Sequence, residues 1–391
     1  LFPKNPEYLF LKIKTGSGVK MGDLVLITGG AGFIGSHLTD ELLKRGYRVR
    51  IIDNLLPQVH NCISEKPSYL NSEAEFIKAD ICDSFALRKA LKGVRAVFHL
   101  AAAVGVGQSM YQIKKYTQIN NIGTSVLLEN LMHTSVEKLV VASSMSIYGE
   151  GLYRGADGFT HSTTIRTVDQ LRKAQWDLCC EDGTMLEPLP TPESKVPCLA
   201  SIYALSKYDQ ERMCLLIGNA YNIPTVALRF FNVYGSRQAL SNPYTGVLAI
   251  FASRYLNSRP PLIFEDGKQR RDFVHVYDIC NACCCALESS VANLSINIGS
   301  GENYSISQVA LMLSTVLGKK DIEPLISGKY RIGDIRHCFA DITLAKKVLG
   351  YKPEMTLEKG LCELAVWLEN QIAHDKLDIA NSELVARGLT S

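Results

Sequence analysis

At 391 residues, 47% of them hydrophobic and 21% charged, the chain has the composition of globular material and the length for one large α/β core with a smaller second lobe. Its 42 basic and 39 acidic residues are interspersed and leave a net charge of +3, so no basic stripe marks a nucleic-acid surface, and no apolar run reaches the roughly 20 residues that span a membrane. The start lacks the pattern of a secretory signal, so a cytoplasmic location is expected, in which the 12 cysteines remain thiols.

Residues 1–20 precede Met21, which reads as a natural start, and Thr15-Gly16-Ser17-Gly18 reads as a flexible joint. This stretch is therefore set apart as an N-terminal extension. From Leu24 to Ile27 an apolar run predicts a strand, and Ile34 to Arg45 predicts a helix. Further strands are predicted at 49–52, 75–79, 96–100, 138–142 and 225–228. Strands separated by helical stretches predict βαβ units, hence an α/β fold with a Rossmann-type doubly wound parallel sheet over residues 21–230.

Within that span, residues 151–197 stand out as an insert holding Trp176, the pair Cys179-Cys180 and a proline-rich run from Pro188 to Pro197. Its length suggests a functional loop or lid. An adjacent cysteine pair with no second matched pair argues against a tetrahedral metal site, so none is expected. Beyond Leu228 the alternation ends and turns thicken around Asn242-Pro243 and Pro260-Pro261, which predicts that residues 231–391 form mainly a smaller substrate lobe. Cys280, Cys283 and Cys284 recur at the spacing of a helix face and are expected to act there as small apolar core residues.

The chemistry begins at Gly29-Gly30-Ala31-Gly32-Phe33-Ile34-Gly35, between the first strand and the first helix. Gly29, Gly32 and Gly35 permit a tight turn and close approach of the backbone, and the helix N-terminus beyond them, at Phe33 and Ile34, favours a pyrophosphate. Asp53, with Asn54 beside it, ends the second strand, where a carboxylate can accept both hydroxyls of an adenosine ribose and repel a 2′-phosphate. NAD is thus expected over NADP, with Arg48 and Arg50 the residues that could oppose this. Asp80 and Ile81 are placed to meet the adenine. Leu100, Ala101 and Ala102 bring small residues to the end of the fourth strand, and Ser143 and Ser144 follow the fifth.

Tyr203 and Lys207 lie four apart, so on a helix they share one face. A neighbouring ammonium and a positive nicotinamide would favour the phenolate, and Tyr203 could then act as general base. Ser144 is the hydroxyl expected to bond the substrate oxygen.

These residues resemble the extended short-chain dehydrogenase/reductase family, specifically its nucleotide-sugar epimerases, and the resemblance covers about Leu24 to Glu369. It implies a Rossmann domain with a C-terminal sugar-nucleotide lobe, tightly held NAD contacted by Tyr203 and Lys207 among others, a nucleotide-diphosphate sugar as substrate and a homodimer built on a four-helix bundle. Asn120, with Asn121 as competitor, resembles the family asparagine beside the nicotinamide. Asn232, in Leu228-Arg229-Phe230-Phe231-Asn232-Val233-Tyr234-Gly235, resembles the asparagine at the substrate pyrophosphate, and Arg271 and Arg331 match the two arginines that hold that diphosphate.

Dehydratases of the family carry an Asp-Glu pair after the catalytic hydroxyl, where this chain has Met145 and Ser146. The expected reaction is therefore epimerisation at C4, with Tyr203 taking the hydroxyl proton and hydride lent to NAD and returned. The runs 167–176, 191–193, 237–246 and 333–341 resemble bacterial dTDP-L-rhamnose 4-epimerases, which implies interconversion of dTDP-L-rhamnose and dTDP-6-deoxy-L-talose. The alternatives are a UDP-glucose or UDP-N-acetylglucosamine 4-epimerase and, more remotely, a dinucleotide-sensing protein without catalysis, against which Ser144, Tyr203 and Lys207 argue.

Overall fold

The computed structural model describes residues 18–61, 65–161, 165–180, 182–331 and 333–390. Residues 1–17 of the extension, including most of the proposed joint, lie outside these. The frame is a sheet of seven strands: β1 (Leu24–Thr28), β2 (Arg48–Asp53), β3 (Glu75–Lys78), β4 (Val94–His99), β5 (Lys138–Ser144), β6 (Thr225–Phe230) and β7 (Leu294–Ile298). Every neighbouring pair is parallel. Strands β1, β5 and β6 are buried along their whole length, as a parallel sheet covered on both faces requires, and their apolar runs are nearly continuous for that reason.

The spatial order is β7-β6-β5-β4-β1-β2-β3, so the direction of winding reverses between β1 and β4. A crevice opens at such a reversal, outside the carboxyl ends of the strands. Four helices matter most around it: α1 (Phe33–Lys44), α2 (Gly123–Leu131), α3 (Ile202–Ala220) and α4 (Val276–Glu288). Helix α2 continues a helical run through Ile113–Tyr116 and a π-helical turn at Thr117–Ile122. The stripe Cys280, Cys283, Cys284 and Leu287 of α4 is buried, the cysteines serving as small core residues.

The smaller lobe is not one continuous stretch from residue 231. Helix α4 and strand β7 return to the large sheet, with β7 pairing beside β6, before the chain re-enters the lobe. The lobe core gathers Phe251, Tyr255, Phe273, Leu313 and Leu361. Two further helices, α5 (Leu357–Leu368) and α6 (Leu377–Ala386), complete the chain.

The insert forms a small antiparallel sheet of Leu152–Arg154 between Thr160–His161 and Glu187–Leu189, with a short helix at Val168–Arg172. It is anchored rather than loose. Arg166 reaches Glu265 of the lobe at 2.6 Å, and Arg336 of the lobe reaches Asp177 of the insert at 2.9 Å. Cys179 lies exposed beside Cys180 in a turn closed against Met185.

Candidate active site

At the reversal of the sheet, a cleft of roughly 930 Å³ runs from the glycine turn to the C-terminal lobe. Gly29, Gly32, Phe33, Ile34 and Gly35 line its first end. Gly29 has φ of +70°, and a Cβ there would lie 2.8 Å from the Ala101 backbone. A Cβ on Gly35 would sit 2.5 Å from the Gly29 carbonyl oxygen, so side chains are excluded where α1 packs under the turn. No side chain caps the N-terminus of α1, which leaves its first N–H groups to serve an anion. The turn thus fits a dinucleotide pyrophosphate.

Asp53 lines the cleft at the end of β2 and fixes the turn, its carboxylate accepting from the Ala31 N–H at 3.1 Å and the Leu55 N–H at 2.9 Å. His60 Nε2 lies 3.7 Å from the same carboxylate, and the His60 ring meets Tyr69, whose hydroxyl donates to the Ala31 carbonyl. His60 and Tyr69 were not legible as site residues, because neither belongs to a motif. Arg48 and Arg50, the residues that could have welcomed a 2′-phosphate, are paired with Glu75 on β3. Asp53→Ala is therefore expected to weaken NAD about ten- to a hundredfold, the worth of its charge-assisted bonds, and to narrow the preference over NADP. Fluorescence titration with each nucleotide checks this, and an unchanged preference would remove Asp53 from the ribose.

Asn54, Ile81, Leu100, Ala101, Ala102 and Ser143 also line the cleft. Two residues singled out in the sequence are not on its wall. Asp80 is exposed, stands between the cleft residues Ala79 and Ile81, and accepts from Asn54 Nδ2 at 2.9 Å. Asn120, in the π-helical turn, is fully buried: its amide exchanges both hydrogen bonds with the Ala103 backbone and donates to Ser206 Oγ at 2.9 Å. Its polar atoms are spent on holding the strand-end loop to α3, so its side chain shapes the site from one layer behind. Asn121 bonds Asp209 instead.

Helix α3 carries the reactive pair because its first turn is satisfied twice over. Ser201 Oγ accepts from the Ala204 N–H at 3.1 Å, and Ser109 Oγ accepts from the Tyr203 N–H at 3.0 Å. Tyr203 and Lys207 both line the cleft and are both buried. Ser144 and Ser146, whose hydroxyls touch each other, line the same cleft, and both act on the phenol so as to favour its ionised form. Ser146 thus joins the reacting cluster, a role its sequence position after Met145 did not reveal.

Lys207 Nζ donates to Gln210 Oε1 at 2.8 Å, and burial pulls its ammonium down to about 8. Burial also pushes the Tyr203 phenol up, against the two serine hydroxyls, and the balance stays above the ordinary tyrosine value. The phenol thus keeps its proton until further positive charge favours the phenolate. NAD, when bound, would supply that charge together with the group that accepts and returns hydride.

Behind Lys207, His99 is fully buried and held neutral, burial lowering it to about 3; burial likewise lowers His37 to about 4. Each is free to take a proton near pH 6.5 in the unfolded chain. Their share of stability is full above that pH and declines as pH falls toward their folded values, by about 1.4 kcal/mol per pH unit for each. Asp272, raised by burial to about 6, works in the opposite sense over the same window. The clean measurement is thus a difference: wild type should lose urea resistance between pH 6.5 and 5 more steeply than His99→Gln, and parallel curves would contradict the assignment.

At the far end of the cleft, Asn232, Arg271 and Arg331 converge. Arg271 is oriented by the backbone carbonyls of Arg270, Ile335 and Arg336, and Arg331 donates to Asn381 of α6 at 3.2 Å while lying over the Phe264 ring. Neutral oxygens are the hydrogen-bond partners of both guanidinium groups, so their charge is available to an anion. Burial also lowers Arg331, which leaves a costly unpaired cation unless a ligand joins it. Arg331 Nε, Asn232 Oδ1, Gln238 Oε1 and Gln269 Oε1 are buried without hydrogen-bond partners, and all four residues line the cleft. Unsatisfied polar atoms converging on one cavity mark a polar ligand. The two glutamines were missed in the sequence, as was α6, whose Glu383 binds Tyr111 and Tyr244 and closes this end.

Comparison with known proteins agrees with this geometry. The description "NAD dependent epimerase/dehydratase family" matches residues 25–170 and 183–299. The dTDP-L-rhamnose 4-epimerase of Burkholderia thailandensis is 35% identical over 364 residues, which takes in 90% of this chain and 96% of the relative. The UDP-glucose 4-epimerase of Thermotoga maritima, solved with UDP-glucose, superposes with a TM-score of 0.73 at 31% identity, covering 88% of this chain and 98% of its own. The UDP-glucose 4-epimerase of Thermus thermophilus, solved with NAD, gives 0.71 at 28% identity, covering 89% and 100%. The glycine turn, the tyrosine–lysine helix and these relatives lead to one conclusion: the chain belongs to the NAD dependent epimerase/dehydratase family, as an NAD-using enzyme of the nucleotide-sugar 4-epimerase kind.

Proposed function

We propose that the enzyme interconverts dTDP-L-rhamnose and dTDP-6-deoxy-L-talose by inverting C4. The observation that carries this reading is the 35% identity to a dTDP-L-rhamnose 4-epimerase over 90% of the chain. Tyr203 takes the C4 hydroxyl proton, Ser144 and Ser146 hold the oxygen, and Arg271, Arg331 and Asn232 keep the diphosphate fixed while the sugar turns. Met145 and Ser146 offer no carboxyl group to expel water, which favours epimerisation over dehydration. Asp53 and the glycine turn hold the adenosine end of NAD, with Ile81 and Ala102 beside it.

A second reading, a UDP-glucose or UDP-N-acetylglucosamine 4-epimerase, draws on the similar fold of such enzymes from Thermotoga maritima and Methanobrevibacter ruminantium. Incubating the purified protein with each sugar nucleotide and resolving the epimers by chromatography separates the two. Turnover of dTDP-L-rhamnose is expected, and turnover of UDP-glucose alone would overturn the first reading. We also propose a homodimer, supported by the exposed Ile122, Leu205 and Leu216 on the adjacent helical run 113–131 and α3. Light scattering should return twice the chain mass; a monomer at micromolar concentration would reject it.

A further inference from the structure

Lys207 supplies the ammonium on the catalytic face of α3, and among the described residues no carboxylate forms an ion pair with it. Its partner is the amide of Gln210, three residues on and fully buried, with Nζ to Oε1 at 2.8 Å. The nearest candidate anion on the helix, Glu211, is also fully buried and already engaged by Arg229, Ser143 and Ser295 at 2.6–2.9 Å.

The orientation of that amide follows from its surroundings. Thr28 Oγ1 lies 2.8 Å from His99 Nδ1, and His99 Nε2 lies 3.2 Å from Gln210 Nε2. Thr124 Oγ1 lies 2.8 Å from the same His99 Nε2 and gives its own proton to the Asn120 carbonyl. Its proton spent, it accepts from Gln210 Nε2, which stands 2.8 Å away. The amide nitrogen must face Thr124, and the oxygen must face Lys207. A buried chain from β1 through β4 and α2 thus fixes one amide so that its acceptor end points at the ammonium.

We propose that Gln210 is a positioning residue for the reaction: its uncharged amide pins the Lys207 ammonium beside Tyr203 without neutralising it, so that the whole positive charge acts on the phenol. A glutamate in the same place would hold the lysine equally well but turn it into half of an ion pair, whose field at the phenol largely cancels. The groups facing Lys207 fit this division of labour. On its own helix stand Gln210, Cys214 and the paired Glu211; from β4 comes His99, kept neutral; Thr124 of α2 touches Gln210 rather than the lysine.

The proposal rests on the reading of Tyr203 as general base, and the test keeps the two apart. The NAD-loaded enzyme is titrated by ultraviolet difference absorbance for tyrosinate, with Tyr203→Phe as the blank, so that no sugar is needed. Gln210→Glu is expected to raise the Tyr203 ionisation by about one pH unit or more, and to move the alkaline loss of turnover, where Lys207 deprotonates, upward as well. Gln210→Leu leaves the ammonium without its acceptor; the phenol step should again rise, while the alkaline limb moves down. Opposite movements of the alkaline limb in the two variants are what a merely structural glutamine would not produce. A Tyr203 ionisation that stays put in folded Gln210→Glu and Gln210→Leu overturns the proposal. Should the glutamate variant fail to fold, Gln210→Leu and the nearly isosteric Thr124→Val decide on the same readout. A wild-type titration with no step that depends on Tyr203 would instead fault the reading of the base.

Discussion

Tyr203→Phe is expected to slow epimerisation by about a hundredfold or more while leaving NAD bound, because it removes one hydroxyl and nothing else. The ring itself is structural: it packs with Ala103 and Tyr116, meeting the Tyr116 ring edge-on at a centroid distance of 6.4 Å. Phenylalanine keeps that packing, and the backbone N–H of residue 203 still donates to Ser109. The elements that hold the dinucleotide, the glycine turn and Asp53, sit on β1, α1 and β2, away from the hydroxyl. Epimer formation followed by chromatography, together with the nucleotide absorbance of the purified variant, checks both halves. A variant as active as wild type would remove Tyr203 from the chemistry. Ser144→Ala should cost less, about tenfold, since the Ser146 hydroxyl, which touches that of Ser144, remains beside the site.

What the sequence made legible follows from where its signals are local. The strands before residue 230 announce themselves because central parallel strands must be apolar on both faces, so Leu24–Thr28 and Lys138–Ser144 read as continuous runs. Strand β7 did not. Its five residues, Leu-Ser-Ile-Asn-Ile, alternate like a half-exposed strand of the lobe, and only the long-range pairing with β6 puts them in the main sheet. The glycine turn and the tyrosine–lysine spacing are legible because strict steric and charge requirements leave few residue types able to meet them. Gln210, Gln238 and Gln269 are not, because an amide is as common on a solvated surface as in a buried cleft, and only a partner's absence or a neighbour's proton inventory gives it meaning. Asn120 shows the converse: a motif residue whose place in the chain was readable, but whose amide is directed at Ala103 and Ser206 by packing that no spacing encodes.

The insert shows how a region without motifs can still govern the site, and Arg336→Met is expected to reveal it through a loss of about 3–5 kcal/mol in stability. Arg336 is fully buried, with Nε at 2.9 Å from Asp177 and Nη1 at 3.1 Å from Glu265 and 2.6 Å from Asp266. Glu265 is almost as deeply buried, and burial pushes its carboxyl up despite both arginines. Once Arg336 is gone, Glu265 depends on Arg166 alone, which also faces Glu150 at 3.3 Å. Methionine fills much of the volume, so the penalty is chiefly a stranded charge. Two consequences separate this from a packing defect. Adding Glu265→Gln should recover part of the loss, and the loss should shrink as pH falls, because protonation of Glu265 removes the stranded charge. The carbonyls of Ile335 and Arg336 also orient the Arg271 guanidinium, so the variant should raise KM for the nucleotide sugar more than it lowers kcat. Urea denaturation at pH 7 and pH 5 measures the first effects, and a loss below about 1 kcal/mol at both would mean that the insert is held by something other than this buried network of charge.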